Sequence, residues 1–105
     1  MIARIWTGRT RAADADVYGE FLHRTAYPDY GGVPGNRGWI LLRRPAGEAV
    51  EFTFVSLWES MDAVHAYAGD DAEQPKYYPE DRKYLIELPD RAANYEVVGA
   101  DLRSS

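Results

Sequence analysis

Cysteine is absent from the chain, and histidine occurs only twice, as His23 and His65. Without thiols there is no disulfide, no thiolate nucleophile and no thiolate metal site, and two histidines without HxxxH spacing offer no set of ligands for a metal. A reducing cytoplasm is the expected compartment, with no metal and no cofactor held by the protein. Also missing is any run near the roughly 20 apolar residues that would cross a bilayer, or a basic N-terminal start followed by a long apolar segment. No membrane association is expected. Positive charge is scarce too, with 12 basic against 17 acidic residues and a net charge of −5. That balance argues against broad contact with a phosphate backbone, although it leaves room for a local basic patch.

What the chain does have is apolar and aromatic: 46% of its 105 residues are hydrophobic and 13% aromatic, enough for one domain, 1–105, to close a core. No repeat, linker or low-complexity stretch interrupts it. "IARIWTGRT" alternates as a first strand, residues 2–9, with Ile2, Arg4 and Trp6 on one face. "ADADVYGEFLHRTA" places Val17, Tyr18, Phe21, Leu22 and Thr25 on one arc of a helix over 14–26, with His23 pointing away. Pro28 and the run "GGVPGNRG" are expected to end that helix. "WILLRR" and "VEFTFVSLW" read as two strands joined by the hairpin-length link "PAGEA". Ser60 is an N-cap candidate for a helix whose stripe is Met61, Val64, Tyr67 and Ala68, stopped at Gly69.

From Asp70 to Leu88 one or two further short helices are expected, with Pro79 at a first helical position and Pro89 as a stop. Within it, "EDRK" reads as a solvated face, its acids early and bases late as the helix dipole prefers. "NYEVVGADL" closes the chain as a last strand. The order β-α-β-β-α-β predicts an α+β, ferredoxin-like protein with helices on one face of an antiparallel sheet.

That plan leaves apolar groups on both sheet faces. Phe52, Phe54 and Trp58 alternate with Val55 and Leu57, and Trp39 and Leu41 with Ile40 and Leu42. Leaving one such face in water forgoes roughly 1.5–3 kcal/mol per large side chain. A homodimer with its two sheets face to face is expected.

Two resemblances bear on function. "FTFVSL" resembles the aromatic strand of RNA-recognition motifs, and "SMDAVHAYAGD" is similar to the helix that follows it there. Val50 and Glu51 stand where those motifs carry a basic residue and glycine, and about 25 additional residues precede the last strand. No nucleic-acid partner is expected. The second resemblance spans nearly the whole chain. "MIARIWTGRT", "VPGNRG", "LWESMDAVHAYAGDD", "YYPEDRKYL" and the closing "YEVV", in that order and spacing, are similar to the antibiotic biosynthesis monooxygenase family.

This resemblance implies a dimeric α/β barrel with a pocket between sheet and helices in each protomer. It also implies a class of activities, among them cofactor-free oxygenation of aromatic polyketides or quinols, and haem degradation. Trp58 matches the tryptophan that lines the polyketide oxygenases' pocket. Their asparagine four residues earlier is Phe54, and their tyrosine six residues later is Val64. Counted from Trp58, the haem degraders' tryptophan falls at Tyr67 and their iron-ligating histidine at Tyr77, while their N-terminal asparagine falls near Trp6 or Thr7.

A cofactor-independent oxygenase of a small aromatic substrate needs a dry pocket, a proton acceptor and donors for an anion. With Trp58, Phe54 and Tyr67 at positions the resemblance aligns with the pocket and Tyr78 in its wall, that chemistry suggests Tyr77, Tyr78 or Tyr84 as hydrogen-bond donor, His65 as the base, and Asn36 or Arg37 to orient a substrate carbonyl. Each has a structural alternative. Trp58 can plug the core, and His65 can be a surface residue of its helix. Asn36 can serve its turn through backbone bonds, while Arg37 can hold a dimer or the C-terminal segment. Tyr84 and Leu85 read as packing. Other functions open for the same shape are an isomerase or cyclase, a non-catalytic small-molecule-binding or structural dimer and, last in order, the RNA-binding module of the first resemblance.

Overall fold

The structure, a computed structural model, describes residues 1–103 apart from the side chain of Tyr27. Strand β1 (Ile2–Arg11) leads through a short 3-10 turn (Ala12–Asp14) into helix α1 (Ala15–Tyr30). The hairpin β2 (Asn36–Ala46) and β3 (Ala49–Trp58) follows, then α2 (Met61–Ala68), the single turn α3 (Asp81–Tyr84) and β4 (Ala93–Glu96). The strands form one antiparallel sheet in the order β2-β3-β1-β4, with β1 and β3 central. This is the ferredoxin-like arrangement that the element order predicts.

One face of the sheet is covered. Arg4, Trp6 and Thr10 of β1 and Phe52, Phe54, Ser56 and Trp58 of β3 alternate inward as buried residues, and Tyr18, Phe21 and Ala26 of α1 lie over them. Tyr18 meets Phe52 edge to face at 5.4 Å between ring centres. Gly8 is what lets Trp6 lie along this face, because a Cβ there would stand 2.5 Å from the indole. Helix α2 begins where Ser60 accepts the amide N–H of Ala63 at 3.2 Å and ends at Gly69. Gly35, at φ 83°, brings the β2 approach so near α2 that a Cβ would lie 2.5 Å from that of Ala63.

The opposite face is open. Pairing places Ile40, Val55, Ile5 and Ala93 in one row across all four strands, with Leu57, Ala3 and Tyr95 in the next. Ile40 and Leu42 are each about half exposed, at 46% and 51%. Phe52 and Phe54 point the other way, under α1, so the open face lacks the aromatic platform on which an RNA-recognition motif stacks bases.

Three expectations are corrected. Pro28 does not end the first helix; α1 continues to Tyr30, because the ring of Tyr30 stacks on Phe54 at 5.3 Å and tertiary packing outweighs the local cost. Val17, placed on the apolar arc, is 53% exposed, and Ala15 and Ala26 are buried instead. Residues 70–88 carry one short helix, α3, within the expected one or two. The rest is held by long-range anchors: Ala92 N–H to the carbonyl of Glu73, Asn94 Nδ2 to that of Ala72, and Arg4 to that of Gln74. The last strand stops at Glu96 because its partner Ile2 is the first residue of β1.

Candidate functional site

Between α1 and the sheet lies an inner cavity of about 70 Å3. Strand β1 supplies Arg4 and Trp6, β3 supplies Phe54 and Ser56, α1 supplies Tyr18, Asp29 and Tyr30, and α2 supplies Tyr67. The segment after α2 closes it with Tyr77, Tyr78 and Asp81. Asp29, Tyr67, Lys76, Tyr77 and Tyr78 also line an outer groove of about 670 Å3 beside Pro28, Val33 and Ala66. The two residues of α1 past Pro28 thus reach the site, Asp29 at the junction of the two spaces and Tyr30 on the inner one.

The polar groups of the inner cavity are organised in three sets. Tyr18 donates to Asp81 Oδ1 at 2.7 Å, and Asp81 Oδ2 accepts the amide N–H of Tyr78 at 2.6 Å. Burial raises the Asp81 carboxyl above the ordinary carboxylate value, with the Tyr18 hydrogen bond opposing it. Tyr67 donates to the Tyr30 hydroxyl at 3.2 Å. Burial pushes both phenols up, so at neutral pH the pair is protonated, and the hydroxyl hydrogen of Tyr30 is the one left to donate. Tyr77 accepts Trp6 Nε1–H at 2.9 Å and donates to the carbonyl of Pro89. Its phenol is also raised by burial, against the Trp6 hydrogen bond.

Arg4 is the unexpected member. It is only 5% exposed, its Nη2 donates to the carbonyl of Gln74 at 2.7 Å, and its guanidinium lies 5.8 Å from the centre of the Tyr67 ring. Nε–H is buried without an acceptor, and among the described residues no carboxylate lies within ion-pair distance of the group. Lys76 lies 4.1 Å from the centre of the Tyr67 ring. Among the described residues no cluster of three or more acidic or histidine side chains could hold a metal ion.

The structure sorts the residues picked from sequence. Phe54, Tyr67, Tyr77 and Tyr78 line the cavity. Tyr77 does so as a clamp whose hydroxyl hydrogen is already spent on Pro89, which corrects its expected role as a donor to the ligand. Trp58 is fully buried but stands behind the wall: its Nε1–H is given to Ser56 Oγ at 2.9 Å, and its ring packs on Tyr67 at 5.0 Å and Tyr30 at 6.1 Å. His65 is exposed, with Nδ1 3.0 Å from the carbonyl oxygen of Gly69, and lines neither space. Asn36 takes the turn role. Its Oδ1 accepts Gly38 N–H at 3.1 Å, and its Nδ2 reaches the carbonyl of Leu57 at 3.3 Å across the β2 register shift. Arg37 pairs with Glu59 on the surface at 3.2 Å.

Sequence reasoning missed Arg4, Asp29, Tyr30 and Asp81. The "EDRK" acid Asp81 is 3% exposed rather than solvated, because Tyr18 and the Tyr78 amide satisfy it from inside. Arg4 had a signal, a charge on the same face of the first strand as Ile2 and Trp6. Asp29, just past Pro28, had none.

No protein-family model matches the chain, and no curated protein matches it. Solved structures do. A protein of Nitrosomonas europaea assigned to the antibiotic biosynthesis monooxygenases superposes with a TM-score of 0.67 at 14% identity, over 94% of this chain and 100% of its own. The haem degrader MhuD of Mycobacterium tuberculosis, with two haems bound in its active site, gives 0.65 at 23% identity over 98% and 100%. The monooxygenase ActVA-Orf6 of Streptomyces coelicolor, in complex with nanaomycin D, gives 0.60 at 18% over 98% and 91%. The chain therefore has the ferredoxin-like α+β fold of the antibiotic biosynthesis monooxygenases. Among the described residues no helix is long and apolar enough to cross a membrane.

Proposed function

We propose that the protein is a homodimeric member of the antibiotic biosynthesis monooxygenase family that oxygenates a small phenol or quinol without a cofactor. The observation that carries this reading is an aromatic-walled cavity holding a donor, Tyr30, beside a carboxylate, Asp29. The Asp29 side chain makes no hydrogen bond among the described residues, which leaves it able to take a proton from a substrate hydroxyl. His65, which lines neither space, has no part in that step.

The chemistry balances without a bound cofactor. A phenol that loses its proton becomes electron-rich enough to pass one electron to dioxygen. The resulting radical and superoxide combine at a ring carbon that bears hydrogen, the peroxide anion takes back the proton held by Asp29, and loss of water from the hydroperoxide leaves a quinone. The protein contributes the dry environment and the stabilised anion. Trp6, Phe54 and Tyr67 exclude water, and the protonated Tyr30 hydroxyl donates to the oxyanion as charge develops. An inner cavity of about 70 Å3 takes the reacting edge, while the outer groove of about 670 Å3 has room for further rings.

Haem, the ligand of MhuD, is a poorer fit: neither histidine lines the inner cavity or the outer groove, and Tyr77 is committed to Trp6 and Pro89. The test is oxygen uptake with a panel of dihydroxynaphthalenes and anthrones, run beside a haem titration. The expected result is substrate-dependent oxygen consumption, reduced at least tenfold in Asp29→Asn, with no stoichiometric Soret shift. Absence of uptake with every phenol, or a tight one-to-one haem complex that turns over, overturns the reading.

A further inference from the structure

Among the described residues the fold gives the buried guanidinium of Arg4 the Gln74 carbonyl, which it anchors, and the nearby Tyr67 ring, and neither compensates its charge. A cation taken out of water costs several kcal/mol unless it is paired and its N–H groups are satisfied. Here one N–H meets a backbone carbonyl, a neutral partner, and Nε–H meets nothing. The two carboxylates that line the same cavity do not make up the deficit. Asp81 is tied to Tyr18 and the Tyr78 amide, and neither Asp81 nor Asp29 comes within ion-pair distance of Arg4. A surface arginine with such a gap would be filled by water. This one is 5% exposed and lines a cavity rich in aromatic rings.

We propose that Arg4 is the anchor for a carboxylate on the ligand, so that the natural substrate is an aromatic acid rather than a neutral phenol. Arginine presents a planar fork whose geometry matches a carboxylate, and here Nε–H has no acceptor while Nη2 gives one hydrogen bond to Gln74. Size agrees. The inner cavity, at about 70 Å3, is right for a carboxylate and the ring edge that bears it, and the rest of the ligand extends between Tyr67 and Tyr77 into the groove. Lys76, 4.1 Å from the centre of the Tyr67 ring and lining both spaces, adds positive charge along the way in. The Tyr67 ring, its centre 5.8 Å from the guanidinium carbon, adds a weak cation–π attraction beside it. This inference rests on the proposed small-aromatic pocket and specifies its ligand.

The probe is a matched pair, 2-naphthoate and 2-naphthamide, which share shape and differ in charge. Binding of each is followed by calorimetry for the wild type, Arg4→Met, Arg4→Lys and Lys76→Met. The wild type is expected to bind the naphthoate at least tenfold more tightly than the amide. Arg4→Met is expected to abolish that preference while still binding the amide, and Arg4→Lys to keep part of it, since an ammonium retains charge but not the fork. Should Arg4→Met fail to fold, the Arg4→Lys comparison decides: an undiminished preference there overturns the proposal. Equal binding of the two probes by the wild type overturns it as well and leaves the pocket standing. Loss of the preference in Lys76→Met but not in the Arg4 variants moves charge recognition to the groove and also overturns it. Binding of neither probe overturns the aromatic pocket itself, and the Arg4 anchor with it.

Discussion

Tyr18 of α1 and Asp81 of α3 meet across the closed end of the cavity, hydroxyl to carboxylate at 2.7 Å, although 63 residues separate them in the chain. Because the other Asp81 oxygen takes the Tyr78 amide, one side chain fastens the irregular segment after α2 to the helix that roofs the sheet. Two of the aromatic residues that line the cavity, Tyr77 and Tyr78, lie in that fastened segment.

Asp81→Asn should therefore loosen it. An amide can accept from only one of the two donors and turns N–H groups toward the other, which leaves a buried donor unpaired at a cost of about 1–3 kcal/mol. The cost should also depend on pH. Burial raises the Asp81 carboxyl in the folded chain, so the fold holds a proton that the unfolded chain releases near the ordinary value of about 3.9. Stability from the protonated group is then fully present below that value and is lost as the pH rises through the raised one. Chemical denaturation from acid to neutral pH should show the gap between wild type and variant narrowing as pH climbs. A gap constant across the range would remove the buried-proton account.

Trp58→Phe should lower stability without changing ligand preference. The indole is fully buried, its N–H is satisfied by Ser56, and it meets the cavity only through Tyr30 and Tyr67. Loss of one ring and one buried hydrogen bond is expected to cost about 1–3 kcal/mol by denaturation. Affinity for an aromatic probe should change less than threefold. A tenfold weakening at preserved stability would bring Trp58 back into the pocket wall.

The open sheet face should pair with a second copy. Ile40, Val55 and Ile5 form a continuous apolar row there, and covering such side chains is worth roughly 1.5–3 kcal/mol each. Sedimentation at micromolar concentration is expected to show a dimer, and Val55→Glu, which puts a charge in the middle of the row, a dimer weakened at least a hundredfold. A wild-type monomer at that concentration is the result that would defeat the idea.

Much of the fold was legible in order and alternation. Ser60 and Gly69 bracket α2 as their chemistry requires, Ile2, Arg4 and Trp6 share a face, and two-sided apolar strands mark a sheet with one uncovered side. These are local properties: a period of two or 3.6 and a capping oxygen act within a few residues.

What lines the cavity was decided by contacts that no local rule reaches. Trp6 meets Tyr77 across 71 positions and Arg4 meets Gln74 across 70, and each contact turns a residue with several readings into one with a definite role. Tyr77 reads as a donor in sequence and is a spent clamp in space. Asp81 reads as solvated and is buried because Tyr18 waits for it. Periodicity tells which way a side chain faces; whether it meets a partner there, and whether its charge or hydroxyl is left over for a ligand, depends on which distant segment is folded against it. Only the tertiary structure supplies that, because hydrogen bonds and desolvation are set by the atoms within a few ångströms, wherever in the chain they come from.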